Sequence, residues 1–251
     1  MDNTFLFLIS GFVSGLLGGL FGIGGGIVLV PFLTLYSDLS LVQASGISLF
    51  CIVGTSLSVS YRKLRSNQID LNLVTKVETT ALICGFLGSL LAHSLPVKIV
   101  QMCFAAMVSL LALLYFRKVF TSNDIDTEDV KHISQGAFQS IIGASGLFAG
   151  LLGIGGGAVI VPLLNKIAHI PIKVATATSA YIMGMTTAGG VLGHIGKPNF
   201  PFKAAVIALA GVKVGAWVGV KLSEKISDKV LKLVFLVLLC WVAFKMWMVS
   251  I

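Results

Sequence analysis

Acidic residues are scarce in this chain. Ten Asp and Glu and 18 Lys and Arg among 251 residues leave it 11% charged, where a soluble domain usually carries about a quarter. Cysteine is equally sparse. Cys51, Cys84, Cys103 and Cys240 stand singly in apolar runs, which excludes a disulfide framework and reads as small core hydrophobes. His93, His132, His169 and His194 have no metal-binding spacing, so neither a metal nor a cofactor is expected. The opening MDNTFLFLIS has no basic n-region, and the first apolar run is expected to stay in the mature protein. The glycine runs lack the Gly-Lys-Ser/Thr of a phosphate loop, which argues against a nucleotide-driven pump. The net charge of +8 does not point to nucleic acid, because the basic residues cluster at the ends of apolar segments, as membrane topology requires.

What the chain has in excess is apolar and glycine residues. At 56% hydrophobic, with a mean hydropathy of +0.98, it reads as an all-α polytopic membrane protein in contact with a lipid bilayer. Eight apolar segments run over 5–36, 44–60, 71–92, 97–120, 137–164, 174–195, 202–222 and 229–250. The first and fifth contain the same motif, SGLLGGLFGIGGGIVLVPFL from Ser14 and SGLFAGLLGIGGGAVIVPLL from Ser145, offset by 131 positions and matching at 14 of 20 residues. The offset persists beyond the motif, pairing Ala44 with Ala175, Ser48 with Ser179, Thr55 with Thr186 and Gly88 with Gly219. The chain therefore divides into two repeats of four segments, 1–120 and 137–251, joined by a polar cytoplasmic linker over 121–136.

Gly24, Gly25 and Gly26, and likewise Gly155, Gly156 and Gly157, are predicted to break a membrane-buried helix, since three consecutive glycines carry the largest backbone entropy cost. Non-helical backbone at membrane depth must face protein, water or a ligand, so each hinge is expected to line a cavity. Close helix packing by small residues is the alternative. Residues 5–36 as one straight helix would span about 48 Å, against about 30 Å of hydrocarbon. If each hinge segment enters and turns back, the second repeat is inverted relative to the first, and 13 Lys and Arg fall on one side. Only Lys98, Lys197, Lys203 and Lys245 fall on the other. This bias places both termini outside. Broken helices in inverted repeats are a transporter's architecture, and two half-helix N-termini facing one cavity would attract a small anion.

The paired GIGGG hinges with their following Val-Pro, the segments Ala-Ser-Gly-Ile-Ser-Leu (44–49) and Ala-Thr-Ala-Thr-Ser-Ala (175–180), and His194-x-Gly-Lys resemble the TauE/SafE family of sulfite and organosulfonate exporters. The resemblance covers nearly the whole chain. It implies export of small sulfur-containing anions across a prokaryotic inner membrane without ATP. A passive anion channel is the alternative.

Several polar side chains are candidates for contact with the substrate. Ser48, Thr55, Thr178 and Ser179, with the neighbouring Ser45, Ser56, Thr176, Thr186 and Thr187, can donate to anion oxygens at lower burial cost than a charge. Bonding to their own helix backbone is the structural alternative. Lys213 lies mid-segment, where an ammonium is costly and should face a cavity, a carboxylate such as Glu78, or substrate. His194 could carry a coupling proton; a coupling ion and an oligomer are both left open. Gly143-Ala-Ser145-Gly146 has the form seen in intramembrane serine proteases, with His194 as a possible base. Its counterpart Ser14-Gly15 has no histidine partner, so the serine reads as part of the repeat, and no enzymatic activity is expected.

Overall fold

The computed structural model describes residues 4–21, 24–120, 135–157, 160, 161, 164, 172–197, 199–223, 226 and 228–250. Among these, nine helices are complete: α1 (Thr4–Phe21), α2 (Gly26–Tyr36), α3 (Leu41–Arg65), α4 (Leu71–Ser94), α5 (Val97–Phe120), α6 (Gln135–Leu152), α7 (Ile172–Ile195), α8 (Phe202–Ser223) and α9 (Asp228–Ser250). Local chemistry sets several boundaries. Ser40 caps α3 with a reciprocal Ser40–Gln43 capping box, and the Asp70 carboxylate accepts from Leu73 N–H at the start of α4; such caps satisfy orphan N–H groups. Pro96 separates α4 from α5, where its missing N–H and fixed φ favour a helix start. The linker lies largely outside the described residues.

Among the described residues five helices, α1, α3, α4, α5 and α8, are long and apolar enough to cross a membrane. Large apolar side chains point outward along the bundle, among them Leu110, Leu113 and Leu114 on α5 and Val237, Phe244 and Met248 on α9. A patch of that kind belongs in lipid. The chain is a multi-pass membrane protein. The threonine- and glycine-rich α7 is less apolar because it packs against α3 and α4, so its hydroxyls meet protein. Of the cysteines, Cys51 is buried but Cys240 is exposed. The expectation that all four lie in the core is corrected there, because Cys240 falls on the outer face of α9.

The helices pack in matched pairs. α1 lies along α8, α6 lies along α4, α3 crosses α7, and α5 lies along α9. Glycine makes the first two seams close enough for backbone contact. Gly15 abuts Val212 and Gly146 abuts Ala81; Gly19 abuts Ala216 and Gly150 abuts Gly85; Gly219 abuts Leu16 and Gly88 abuts Leu147. Each second contact is the first displaced by 131 residues, with the helices exchanged. Both seams run parallel: Leu8, Phe12 and Leu16 meet Gly211, Gly215 and Gly219 in order.

Contacts at the helix ends fix where each excursion begins and returns. The Gln43 Nε2 donates to the Asn199 carbonyl at 3.3 Å, and the Phe50 and Phe202 rings meet edge to face at 5.9 Å. α3 therefore starts at the end where α8 starts, which is also where α1 starts. Likewise the Gln139 Nε2 donates to the Lys76 carbonyl, and Asp70 N–H donates to Thr178 Oγ1. The early turns of α6 and α7 thus lie beside the start of α4.

Candidate functional site: two glycine hinges that meet

α1 stops at Phe21 and helix resumes at Gly26. Between them Gly24 and Gly25 take φ of 78° and 77°. In the second copy Gly153, Gly155 and Gly156 take 76°, 82° and 71°, and helical backbone resumes at Gly157. The left-handed region costs an ordinary L-residue about 1–2 kcal/mol, so the glycines are needed for conformation as well as space. Gly24 and Gly25 match Gly155 and Gly156 at the 131-residue offset, so the two halves repeat a backbone shape and not just a motif. The first hinge doubles back on α1. Ser14 Oγ donates to the Gly25 carbonyl at 2.7 Å, and a Cβ on Gly18 would meet the Gly25 nitrogen at 2.6 Å.

The two hinges lie side by side. A Cβ on Gly26 would lie 2.5 Å from the Gly153 carbonyl oxygen, and Ser48 Oγ donates to that carbonyl at 2.7 Å. Ile52 and Met183, another pair at the 131-residue offset, supply the side chains nearest Gly24, Gly155 and Gly157. These two apolar side chains occupy the ground where a cavity was expected. At the N-terminus of α2, Val28 and Leu29 N–H groups both reach the Gly25 carbonyl, and no side chain caps the helix. A bare N-terminus of this kind presents N–H groups and positive dipole to whatever enters.

The hydroxyl candidates separate once their partners are known. Ser45, Thr55, Thr186 and Thr187 donate to backbone carbonyls three or four residues back in their own helices, the usual way a membrane helix satisfies them. Thr178 accepts from Asp70 N–H, and Ser179 is buried. Ser48 reaches across to a hinge. Its face continues at steps of four beyond Ile52 with Ser56, one of the candidates, and Ser60, which the sequence reading missed, and both hydroxyls are buried without a hydrogen-bond partner. The only sequence signal for Ser60 was that spacing. Ser48→Ala should leave the Gly153 carbonyl unpaired and cost about 1–2 kcal/mol, lowering the melting temperature in detergent by a few degrees, whereas Thr55→Ala should change it little.

Lys213 does not join this site. It is exposed, and it lies one turn beyond Leu209, the α8 side chain that meets Gly54 of α3. Its expected burial is corrected to that extent: the side chain is exposed, and no ion pair joins it to Glu78 among the described residues. His194 is buried near the start of α8, with Nδ1 2.9 Å from His93 Nε2. No spacing rule could have found His93, which is 101 residues away in sequence. Ser145 Oγ donates to the Ile142 carbonyl, so neither Ser145 nor His194 makes the hydrogen bond a catalytic dyad requires. Among the described residues, no group of three or more His, Cys, Asp or Glu is placed to hold a metal.

Comparison with known proteins gives the chain a family. A family model described as sulfite exporter TauE/SafE matches residues 7–246. A probable membrane transporter protein of Methanocaldococcus jannaschii is 29% identical over 245 residues, covering 91% of this chain and 89% of its own. The probable membrane transporter protein YunE of Bacillus subtilis is 27% identical, covering 94% of this chain and 95% of its own. No solved structure matches the chain significantly. With matching hinges in both halves and a family match across almost its whole length, this chain is a membrane transporter that belongs to the sulfite exporter TauE/SafE family.

Proposed function

We propose that the protein exports small sulfur-containing anions, sulfite or organosulfonates, across a prokaryotic inner membrane by alternating access. The observation that carries this reading is the meeting of two hinges built on matched left-handed glycines around Ile52 and Met183. The anion binds between the hinges, held by N–H groups at the start of α2 and of the helix from Gly157, and by Ser48. Gly24, Gly25 and Gly26 and their partners Gly155, Gly156 and Gly157 shape the backbone, and of the other candidates Ser48 is the one this reading places against the anion. Ser56 and Ser60, buried and unpartnered, mark the route from the basic end of α3 to the hinges.

The repeats are inverted in this reading, with domains at 1–120 and 137–251. Support comes from the end contacts: α1 starts where α3 starts, while α6 starts beside the start of α4, at the end where α3 finishes. Each first segment then enters and returns on one side, both termini lie outside, and the basic residues crowd the cytoplasmic face. The apolar side chains between the hinges favour a carrier over a channel, because an anion must displace them to pass.

Flux from proteoliposomes tests the reading. Sulfite or a small organosulfonate loaded inside should leave in a saturable manner that a second sulfur anion competes for. Unsaturable flux with high unitary conductance would establish a channel, and no flux of any sulfur anion would overturn the proposed substrate class.

A further inference from the structure

A pocket of about 370 Å³ opens at the end where α3, α5 and α8 begin, and His93, His194, Lys197, Gln43 and Ser40 stand on its wall. Among the described residues no carboxylate lines it. His93 is exposed at the pocket, and its Nε2 lies 2.9 Å from Nδ1 of the buried His194. The far nitrogen of His194, Nε2, is buried beside Gly150 without closing a hydrogen bond. The ring rests on α3 at Gly46, where a Cβ would come within 3.0 Å of it. The imidazole pair therefore joins α4 to α7 and touches α3 and α6, and one of its two rings is open to the pocket.

Two imidazoles in contact can share one added proton, but a second would set two cations 2.9 Å apart. The pair thus carries either no charge or one positive charge. Among the described residues the ionisable group facing it from outside the pair is Lys197, whose charge acts on His93; α3 presents Gly46 and Gln43, and α6 presents Gly150. The Lys197 ammonium opposes the added proton, and an anion in the pocket would offset both charges. We propose that this pocket binds one small anion together with one proton held on the His93–His194 pair. The site differs from the hinge site but communicates with it, since Gly150 lies one turn before Gly153, the hinge glycine that Ser48 holds. Only the identity of the physiological anion rests on the export reading.

The test uses the full chain in lipid nanodiscs, with methanesulfonate and sulfate as probes, because neither changes charge between about pH 6 and 8, where imidazole titrates. Wild-type affinity should rise toward tenfold for each unit fall in pH above the imidazole range, with about one proton taken up per anion. His93→Gln and His194→Gln should each flatten that slope. Lys197→Gln should weaken binding at every pH and keep the slope, which a purely structural role for the histidines would not produce. Absence of binding at pH 6, pH-independent binding by the wild type, or a slope that survives both glutamine variants would overturn the proposal. The wild-type slope decides even where a variant fails to fold. Proton-linked methanesulfonate binding without sulfur-anion flux would overturn the export reading alone; flux without proton linkage would overturn this site alone.

Discussion

Gly25→Ala is expected to cost roughly 3 kcal/mol or more and leave little folded protein, while Gly156→Ala, at the matching position, should cost only about 1–2 kcal/mol. Both residues take left-handed φ, 77° and 71°, so the strain of an added side chain is common to both. The surroundings differ. A Cβ at Gly25 would meet the Ser14 carbonyl oxygen at 2.6 Å and Ser14 Oγ at 2.8 Å. Neither can withdraw, since one is backbone and the other is hydrogen bonded to Gly25 itself. At Gly156 the nearest atom is the Ala149 Cβ at 3.5 Å, an ordinary contact. Gly156→Ala is therefore the cleaner probe of function. The alanine strains the backbone that turns N–H groups toward the space between the hinges, and sulfur-anion flux should fall at least tenfold while the melting temperature drops by only about 2–8 °C. Wild-type flux from the folded Gly156→Ala protein would remove the hinge from the transport site.

The sequence makes the doubling of the hinge legible because the backbone demand is specific: left-handed φ at corresponding positions leaves glycine as the fitting residue, and glycine is what both copies contain. The break in each first segment could be read for the same reason. What lies between the hinges could not. Ile52 and Met183 are ordinary apolar residues in apolar helices, and only the three-dimensional meeting of the halves gives them their place. The hydroxyl-rich stretches carried an ambiguous signal, since a serine bonding its own helix and a serine reaching a hinge look alike in sequence; Ser45 does the first and Ser48 the second. Lys213 misleads in the other direction. Its depth is readable from position along the segment, but its facing depends on which side of α8 meets α1. That side is set by Gly211, Gly215 and Gly219, which only the packing of α8 on α1 shows to be a seam. The histidine pair was beyond reach, because its members come from different repeats and are not related by the 131-residue offset.

The two glycine seams should respond alike to the same insult. Gly219→Val should drive its side chain into the Leu16 carbonyl and Gly88→Val into the Leu147 carbonyl, and each should lose most of the monodisperse protein on size exclusion. Overpacking at a flexible side chain costs about 1–3 kcal/mol, but here the obstacle is backbone, so whole helices must part. A melting temperature within about 3 °C of wild type for either variant would mean that the helices at that seam are not in backbone contact. Gly215 gives a sharper contrast. Its counterpart at the 131-residue offset is Cys84, which is accommodated because α6 offers Gly143 there, with a Cβ on Gly143 falling 3.2 Å from Cys84 Sγ. Across from Gly215 stands Phe12, so Gly215→Cys should be destabilising although the same residue is native in the other half. The seams are thus equivalent at Gly88 and Gly219 and distinct one turn away. α1 with α8, and α6 with α4, are each too closely joined to slide, so the alternating access proposed above requires each pair to move as a unit, with the hinge glycines taking up the change in direction.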